Sequence, residues 1–415
     1  MLDIQFIRDN PELVQLKSEQ KGYKNVNVAA LLELDGERRI QITQIDELRA
    51  RRNSLAAEMK STRPTDEQIA TGKQLKEELS QRESDLGTIE TQYTTMLSGI
   101  PNSASEDVPI GGEESSKEVK VVGDRPTGAR DHLDYAIERD WVDFERGAKV
   151  AGQKFYFLKG DLALLENAIT QFALNFIVSQ GFTYMTVPHM VNGRVATGTG
   201  FAPRSDAQSD EYFIEGEDLS LIATAEMSLT GYHADEIIDE SRLPLLYAGL
   251  SPCYRKEAGA AGKHTRGLFR VHQFNKLEMY VFTTPEQSAD MHTRILSLEE
   301  EVWQAIGIPY RVINIASGDL GAPAAKKYDI EYWSKVDGNY RELTSCSNCT
   351  DFQARNLNIR VRRADGRVEM LHTLNGTVVS LARSLVVVIE HFQNEDGTLS
   401  VPEVLRPYMG NRTTI

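Results

Sequence analysis

Apolar side chains recur along the first hundred residues at alternating steps of three and four. The stripe runs through Ile45, Leu48, Arg52, Leu55 and Met59, and then through Leu75, Leu79, Arg82, Leu86, Ile89, Tyr93, Met96 and Ile100. A repeat of about 3.5 residues is typical of a coiled-coil seam. Between the two runs, Pro64 breaks a helix and Asp66 is suited to cap the next one. The pattern predicts a long antiparallel helical hairpin over residues 1–102.

The composition changes after the hairpin. Residues 103–118 are rich in Pro, Ser, Gly and acidic side chains, which is typical of a linker. Residues 119–415 then mix helical and strand patterns. An amphipathic helix is predicted over 161–180, capped by Asp161 and stopped at Gly181. Strands are predicted at 184–187, 245–247, 269–274, 276–282 and 310–313, and a late apolar helix at 377–393. The fold class is α+β.

Two of the predicted strands, 253–257 and 274–280, are unusually polar. Because strand side chains alternate between faces, Arg255 and Glu257 are expected on one face, as are Lys276 and Glu278. Central strands rarely bury Arg or Glu without a partner. A polar ligand on an open sheet face would explain the pattern, and so would paired salt bridges on a solvated sheet.

The charge is uneven along the chain. The 415 residues carry 46 Lys+Arg against 61 Asp+Glu, a net charge of −15, which does not favour non-specific coating of nucleic acid. The outer half of the hairpin is nevertheless basic. Its cations are Arg49, Arg51, Arg52, Lys60, Arg63, Lys73 and Lys76. They are interpreted either as a local RNA-binding stripe or as a solvated coiled-coil face.

Several classes of protein are disfavoured. The three cysteines, Cys253, Cys346 and Cys349, cannot form a disulfide framework, which favours a reducing, cytoplasmic location. The single C-x-x-C pair has no second pair or spaced histidines, so no structural zinc is expected. No run of 18 uncharged apolar residues predicts a membrane span. The pattern G-x-x-x-x-G-K-[ST] is absent, which disfavours a P-loop nucleotide-binding enzyme.

The sharper motifs resemble those of one family. They are the helix and strand 161–188 ending at Pro188, Arg255-Lys256-Glu257 through Glu278, the helix bearing Arg383, Thr224-Ala225-Glu226, Arg270-Val271-His272-Gln273-Phe274, Ser345 through Arg355, and Thr373-Leu374-Asn375-Gly376. This combination is similar to bacterial-type seryl-tRNA synthetases, which are class II aminoacyl-tRNA synthetases. The resemblance covers the whole chain. It implies an antiparallel sheet flanked by helices, preceded by the hairpin as a tRNA-binding arm.

The resemblance also implies the reaction. The serine carboxylate attacks the α-phosphorus of ATP, and the seryl group then passes to the 3′ end of tRNA(Ser), or of tRNA(Sec) where that tRNA exists. A carboxylate is ionised at neutral pH, so this step needs positioning and charge neutralisation rather than a general base. Mg²⁺, a homodimer and contact between the hairpin and the long variable arm of the tRNA are further implications.

Roles carry over residue by residue from the resemblance. The catalytic residues are Arg255, Arg270, Glu342 and Arg383. Lys263, in the segment between the two polar strands, is a further contact to the outer phosphates. The ATP site comprises Arg255, Lys256, Glu257, Val271, Phe274, Glu342, Leu343, Thr344, Ser345 and Arg383. The serine site comprises Thr224, Ala225, Glu226, Arg255, Glu278, Asn375 and Thr377. Glu342 and Ser345 are the Mg²⁺ ligands.

Two other functions compete with this one. A synthetase-like ligase that loads a small amino acid onto a carrier protein would share the catalytic domain but lack the hairpin. A coiled-coil RNA-binding protein with an inactive catalytic domain would keep the hairpin but lose the charged residues. The hairpin disfavours the first, and Arg255, Glu257, Glu278, Glu342 and Arg383 disfavour the second.

Overall fold

The computed structural model describes residues 1–61, 63–201, 211–257 and 266–415. It divides into two compact units, Met1–Pro101 and Asn102–Ile415, each of which is described by itself.

The first unit contains a helical hairpin. Its helices are α1 (Ile4–Asp9), α2 (Pro11–Gln20), α3 (Val28–Ser61) and α4 (Asp66–Ser98). Ile45 and Leu48 of α3 pack against Leu75 and Leu79 of α4, and all four are buried. Arg82 lies on the same seam and donates a hydrogen bond to Gln41 Oε1 at 3.3 Å. The predicted antiparallel coiled coil is confirmed.

The turn of the hairpin differs in one detail. Thr65, not Asp66, caps α4: the Thr65 hydroxyl accepts from the Gln68 amide at 3.2 Å, and the Gln68 side chain accepts from the Thr65 amide at 3.0 Å. This reciprocal capping box satisfies two backbone donors at once. Asp66 falls in the first turn, where its negative charge is favoured by the helix dipole.

The second unit is built on an eight-stranded sheet with the order β1-β11-β12-β13-β16-β10-β9-β4. Its strands are β1 (Lys117–Val122), β2 (Val142–Asp143), β3 (Phe157–Leu158), β4 (Thr183–Thr186), β5 (Met190–Asn192), β6 (Tyr212–Phe213), β7 (Leu219–Leu221), β8 (Ile237–Asp239), β9 (Leu245–Tyr254), β10 (Gln273–Thr283), β11 (Tyr310–Asn314), β12 (Lys326–Ser334), β13 (Asn339–Asn348), β14 (Arg360–Arg362), β15 (Val368–Met370) and β16 (His372–Ser380). Neighbours in the large sheet are antiparallel except β4 and β9, which are parallel.

Helices cover the two faces of this sheet. They are α5 (His132–Glu138), α6 (Phe144–Ala151), α7 (Gly160–Ser179), α8 (Gly193–Thr199), α9 (Ala225–Gly231), α10 (Ser288–Ile306), α11 (Phe352–Leu357) and α12 (Leu381–Phe392). Leu277, Met279 and Val281 of β10 point into the core that α7, α10 and α12 complete. Tyr280 and Phe282 point to the opposite cluster with α9 and α11. The α+β class and the alternation along β10 are confirmed.

Helix α7 is long and apolar enough to cross a membrane by length and composition. Its apolar stripe, which includes Leu162, Leu165 and Ile169, is instead buried in the core of the second unit. The helix begins at Gly160 after Lys159, so Asp161 is not its cap. Asp161 accepts instead from Arg412 at 2.6 Å.

Two predicted elements have different boundaries. The predicted helix 377–393 begins only at Leu381, because residues up to Ser380 belong to β16. A buried apolar run does not distinguish a central strand from a helix. The predicted strand 269–274 is wrong at its start, since Gly267–Phe269 form a 3₁₀ turn and β10 begins at Gln273.

The predicted linker segment lies along the second unit. Ala104 and Val108 are buried against Ile313, Ile315 and Leu320. Strand β1, which begins at Lys117, then pairs with β11. The apolar positions hidden among the Pro, Ser and acidic residues hold this segment against the sheet.

Candidate active site

A pocket opens on the large sheet, where β9, β10, β13 and β16 approach α12. Its lining residues are Arg255, Glu257, Leu268, Phe269, Val271, Phe274, Lys276, Glu342, Leu343, Thr344, Ser345, Thr377, Ser380, Ala382 and Arg383. Most of the predicted ATP-site residues are therefore brought together from segments far apart in the sequence. Lys256 is not among them: its Nζ lies 5.6 Å from the centres of the Tyr212 and Phe213 rings.

Backbone pairing positions Arg255 just beyond the end of β9. Its amide donates to the His272 carbonyl at 3.0 Å, and its carbonyl lies 2.8 Å from His272 Nδ1. The guanidinium donates to the Ala223 carbonyl at 3.3 Å and lies 5.3 Å from the centre of the Phe274 ring. These contacts hold the planar cation at the wall of the pocket.

The strand alternation predicted Glu257 on the same face as Arg255, and this prediction is wrong. Strand β9 ends at Tyr254, and Glu257 has a left-handed backbone with φ of 52°. This turn directs its carboxylate to Arg270, whose Nη1 lies 2.8 Å from Glu257 Oε2. The predicted phosphate contact Lys263 lies outside the residues that the structure describes.

A second cationic wall comes from α12. Arg383 Nη1 lies 3.2 Å from Glu342 Oε2, and its guanidinium lies 5.0 Å from the centre of the Phe269 ring. Burial acts against ionisation of Glu342, but the charges of Arg383, Lys327 and Arg255 outweigh it and lower its pKa to about 2. Glu342 is therefore ionised at any physiological pH, and Ser345 lines the same wall.

A buried acidic cluster adjoins the pocket on the polar face of β10. Glu278 is 1% exposed, and its Oε2 lies 2.5 Å from Lys276 Nζ. The alternative of a paired surface carboxylate is thus half right: the pair exists, but it is not on the surface. Thr224 caps α9 beside it, and Lys276 Nζ donates to the Thr224 hydroxyl at 3.4 Å.

Glu226 is the second acid of this cluster. Its Oε1 accepts from Gln353 Nε2 at 2.7 Å and from Asn375 Nδ2 at 3.0 Å. Burial, and then the like charge of Glu278, raise the pKa of Glu226 to about 7. A cationic ligand would be attracted here, because it would replace the proton that the cluster otherwise binds near neutrality.

Two residues of this region were not predicted. Gln353 also accepts from the Thr373 hydroxyl at 2.7 Å and from the Tyr280 hydroxyl at 2.9 Å, so it orients the cluster. Glu299 of α10 is fully buried, and its Oε1 accepts from the Thr377 amide at 2.9 Å. Its position on the apolar stripe of α10 is the signal that would have found it.

The predicted tRNA-binding cations lie in the first unit, far from the pocket in sequence. Arg49, Arg51, Arg52, Lys60, Arg63, Lys73 and Lys76 are all exposed on α3, α4 or their turn. Arg49 is partly neutralised, because its Nη2 lies 2.8 Å from Glu83 on the opposite helix. Glu83 therefore offsets part of the positive charge of this region of the hairpin.

These features define a class of protein. Residues 211–392 match the class II core domain of the tRNA synthetases (G, H, P, S and T), and residues 1–104 match the seryl-tRNA synthetase N-terminal domain. The serine–tRNA ligase of Dictyoglomus thermophilum is 44% identical over 99% of this chain and 98% of its own length, and that of Treponema denticola is 42% identical over 99% of both.

Solved structures agree with these relatives. Seryl-tRNA synthetase from Pyrococcus horikoshii complexed with ATP superposes with a TM-score of 0.91 at 40% identity, covering 100% of this chain and 99% of that one. Cytoplasmic serine–tRNA ligase from Naegleria fowleri in complex with AMP gives 0.86 at 33% identity, covering 100% and 98%. The chain is a class II aminoacyl-tRNA synthetase. More narrowly, it belongs to the seryl-tRNA synthetase family.

The raised pKa of Glu226 predicts a pH-dependent stability. The pKa of Glu226 is about 7 in the folded state and about 4.5 in the unfolded state. The free energy of unfolding of the protein therefore falls as the pH rises between those values. Glu226→Gln removes this titration. The free energy of unfolding of Glu226→Gln, minus that of the wild type, should rise by about 2 kcal/mol from pH 5 to pH 8.

Urea unfolding followed by tryptophan fluorescence measures this effect, since Trp141, Trp303 and Trp333 all lie in the second unit. Glu215→Gln, at an exposed glutamate, is the matched control. A Glu226→Gln difference that is the same at both pH values would contradict the assigned ionisation.

Proposed function

We propose that this protein is a serine–tRNA ligase that activates L-serine with ATP and transfers the seryl group to the 3′ end of tRNA(Ser), and of tRNA(Sec) where present. The observation that carries the proposal is a pocket lined by cationic side chains with a buried acidic cluster beside it. Arg255 and Arg383 line the pocket, and Lys276, which also lines it, pairs with Glu278 of the cluster that holds Glu226. A triphosphate suits the cations, and an amino acid with a free ammonium group suits the acids.

In the first step the serine carboxylate attacks the α-phosphorus and pyrophosphate leaves. Arg255 holds the α-phosphate and stabilises the charge of the five-coordinate phosphorus, a task suited to a fixed guanidinium fork. Arg270 and Lys263 contact the outer phosphates. This assignment is supported by the anchored geometry of Arg255, which needs no reorganisation when the substrate binds.

The adenine is proposed to bind between Phe274 and Arg383, with Glu257 and Val271 at its edge. The remaining ATP-site residues are Lys256, Glu342, Leu343, Thr344 and Ser345. All of these except Lys256 line the pocket, and Arg383 already stacks on one aromatic ring, Phe269. Stacking of a guanidinium on a flat ring is a favourable use of its weakly hydrated face.

Glu342 and Ser345 are the proposed Mg²⁺ ligands. An ionised carboxylate next to a hydroxyl suits this ion, which prefers oxygen and is shared with phosphates. Bound there, Mg²⁺ would neutralise charge on the phosphates. Arg383 keeps Glu342 ionised and oriented before the ion and ATP arrive.

Serine recognition is assigned to Thr224, Ala225, Glu226, Arg255, Glu278, Asn375 and Thr377. Glu226 and Thr224 face the ammonium group, and Glu278 accepts the substrate hydroxyl. Glu278 is supported as the selectivity determinant because it is buried and charged, so an amino acid without a hydroxyl leaves it unsatisfied. Threonine must be excluded by the size of the pocket.

Residues 1–102 are proposed as the tRNA-binding arm, 103–118 as the linker and 119–415 as the catalytic domain. The exposed cations of the arm suit the phosphates of the long variable arm, which are read by shape rather than by sequence. We further propose that the protein is cytoplasmic. The carrier-protein ligase and the inactive RNA-binding protein are disfavoured, because the relatives match both units.

A homodimer is proposed through the region of α7 and β4. Leu164, Val178, Tyr184 and Met190 are each 42–50% exposed in this short segment. Strand β4 also ends the sheet, paired with β9 alone among the strands that the structure describes. Exposed apolar side chains beside an open strand edge are typical of a surface covered by a partner.

Serine-dependent ATP–pyrophosphate exchange, followed by charging of purified tRNA(Ser), tests the function. The wild type should show both activities. Glu278→Ala should lower kcat/KM for serine in exchange by about 100-fold or more, with little change in the KM for ATP. Glu215→Ala is the matched control. Exchange without charging would instead support the carrier-protein ligase, and neither activity would support the inactive domain.

The arm is tested by replacing three cations together, Arg51→Ala, Arg52→Ala and Lys60→Ala. Charging should fall by about tenfold or more in kcat/KM for tRNA, with a salt dependence weaker by about one unit of slope per lost phosphate contact. Pyrophosphate exchange should not change. Arg367→Ala, at an exposed arginine of the second unit, is the control. Unaltered charging by the triple variant would exclude these cations as the tRNA contact.

The dimer is tested by Leu164→Glu, which places a charge within the proposed interface. Sedimentation velocity should show a dimeric wild type and a variant of half that mass. Val368→Glu, at a residue of similar exposure on β15, should remain dimeric. A monomeric wild type would refute the proposed assembly.

A further inference from the structure

Lys276 and Glu278 form a buried ion pair on one strand face. They are two residues apart on β10, and their side chains are only 10% and 1% exposed. Among the residues that the structure describes, Glu278 Oε2 accepts no further hydrogen bond beside this ammonium group. A lysine is rarely buried without a reason, because removing its charge from water is costly.

Among the charged groups that face Glu278, Lys276 does most to favour its ionised form. Titratable groups contributed by the neighbouring elements are Arg255 and Cys253 from β9 and its end, Glu226 from α9, Glu299 from α10 and Lys276 from β10 itself. Two of these are acids and two are cations. The charge of Arg255 and a hydrogen bond from Thr224 also lower the pKa of Glu278, both less strongly than Lys276 does. Burial raises the pKa of Glu278, and Lys276 is the strongest influence that lowers it.

We propose that Lys276 is a specificity-determining positioning residue, which keeps the buried Glu278 ionised so that its carboxylate accepts a hydrogen bond from the substrate hydroxyl. The inference rests on the proposed function, because it concerns how that same site recognises serine. Lys276 also donates to the Thr224 hydroxyl at 3.4 Å, which ties the ammonium to the α9 cap and limits where the carboxylate can point.

The ionised form matters for the choice between serine and alanine. An ionised carboxylate deprived of its hydroxyl partner remains charged and incompletely satisfied, so alanine is rejected. A protonated Glu278 is neutral and costs less to leave unpaired. Loss of the lysine should therefore weaken serine binding and discrimination together, most strongly at low pH.

The experiment measures the KM for serine in pyrophosphate exchange between pH 6 and 8.5 for the wild type, Lys276→Met and Lys276→Arg. Methionine keeps the length of the side chain and removes the charge. At pH 6.5 Lys276→Met should raise the KM for serine about tenfold for each unit by which the pKa of Glu278 comes to exceed that pH, and the defect should shrink as the pH increases. Lys276→Arg should restore most of the wild-type profile.

A double-mutant cycle separates this role from a direct contact. Glu278→Gln cannot titrate, so adding Lys276→Met to it should change the KM for serine by no more than about twofold. Additive losses, or a Lys276→Met defect that is equal at every pH, would overturn the inference and leave the proposed function standing. A similar rise in the KM for ATP would also overturn the inference, because it would indicate that Lys276 has a structural role. A wild type without serine-dependent exchange would overturn both.

Discussion

The acidic cluster beside the pocket depends on keeping the charged groups of Lys276, Glu278 and Glu226 almost out of contact with water. Strand β10 makes this possible, since its alternation sends Leu277 and Met279 into the core and Lys276 and Glu278 to the opposite face. The apolar side anchors the strand at the centre of the sheet, so the polar side cannot withdraw into solvent. Each buried charge must then find its partner inside the protein.

The same constraint gives the pocket and the acidic cluster opposite chemistry. In the pocket, the neighbouring cations outweigh desolvation and lower the pKa of Glu342, whose side chain is 41% exposed, to about 2. In the acidic cluster, burial and a second acid raise the pKa of Glu226 to about 7. The pKa values of these two carboxylates are therefore shifted in opposite directions. Glu342 stays ionised beside its cations, whereas Glu226 binds a proton near neutral pH.

Hydrogen bonds to neutral side chains complete this arrangement. Gln353 links Glu226 to Thr373 and Tyr280, and so connects α9, α11, β16 and β10 through one amide. Glu299 plays a similar part beneath the strand that carries Thr377. Gln353 and Glu299 bond to Glu226 and to the backbone of Thr377, and so restrict how these residues of the cluster and the pocket are oriented.

How far the sequence could predict this structure varied with the locality of the signal. The hairpin seam was readable because one helix repeat decides which residues meet, and Ile45 and Leu79 do meet. The start of α12 could not be predicted, because β16 is buried on both faces and its run of apolar residues resembles the sequence of a buried helix. The turn at Glu257 was missed because a left-handed residue outside glycine has no strong signature.

The amino-acid sequence by itself determined the class of fold, the two-part organisation and most of the residues around the pocket, because those features follow from periodicity and from a combination of motifs. Only the tertiary structure decided which charges face one another. The pairing of Lys276 with Glu278, of Arg270 with Glu257 and of Arg383 with Glu342 arises from distances across turns and strands. Electrostatic energy depends on those distances and on burial, and neither is written in the spacing of residues along a chain.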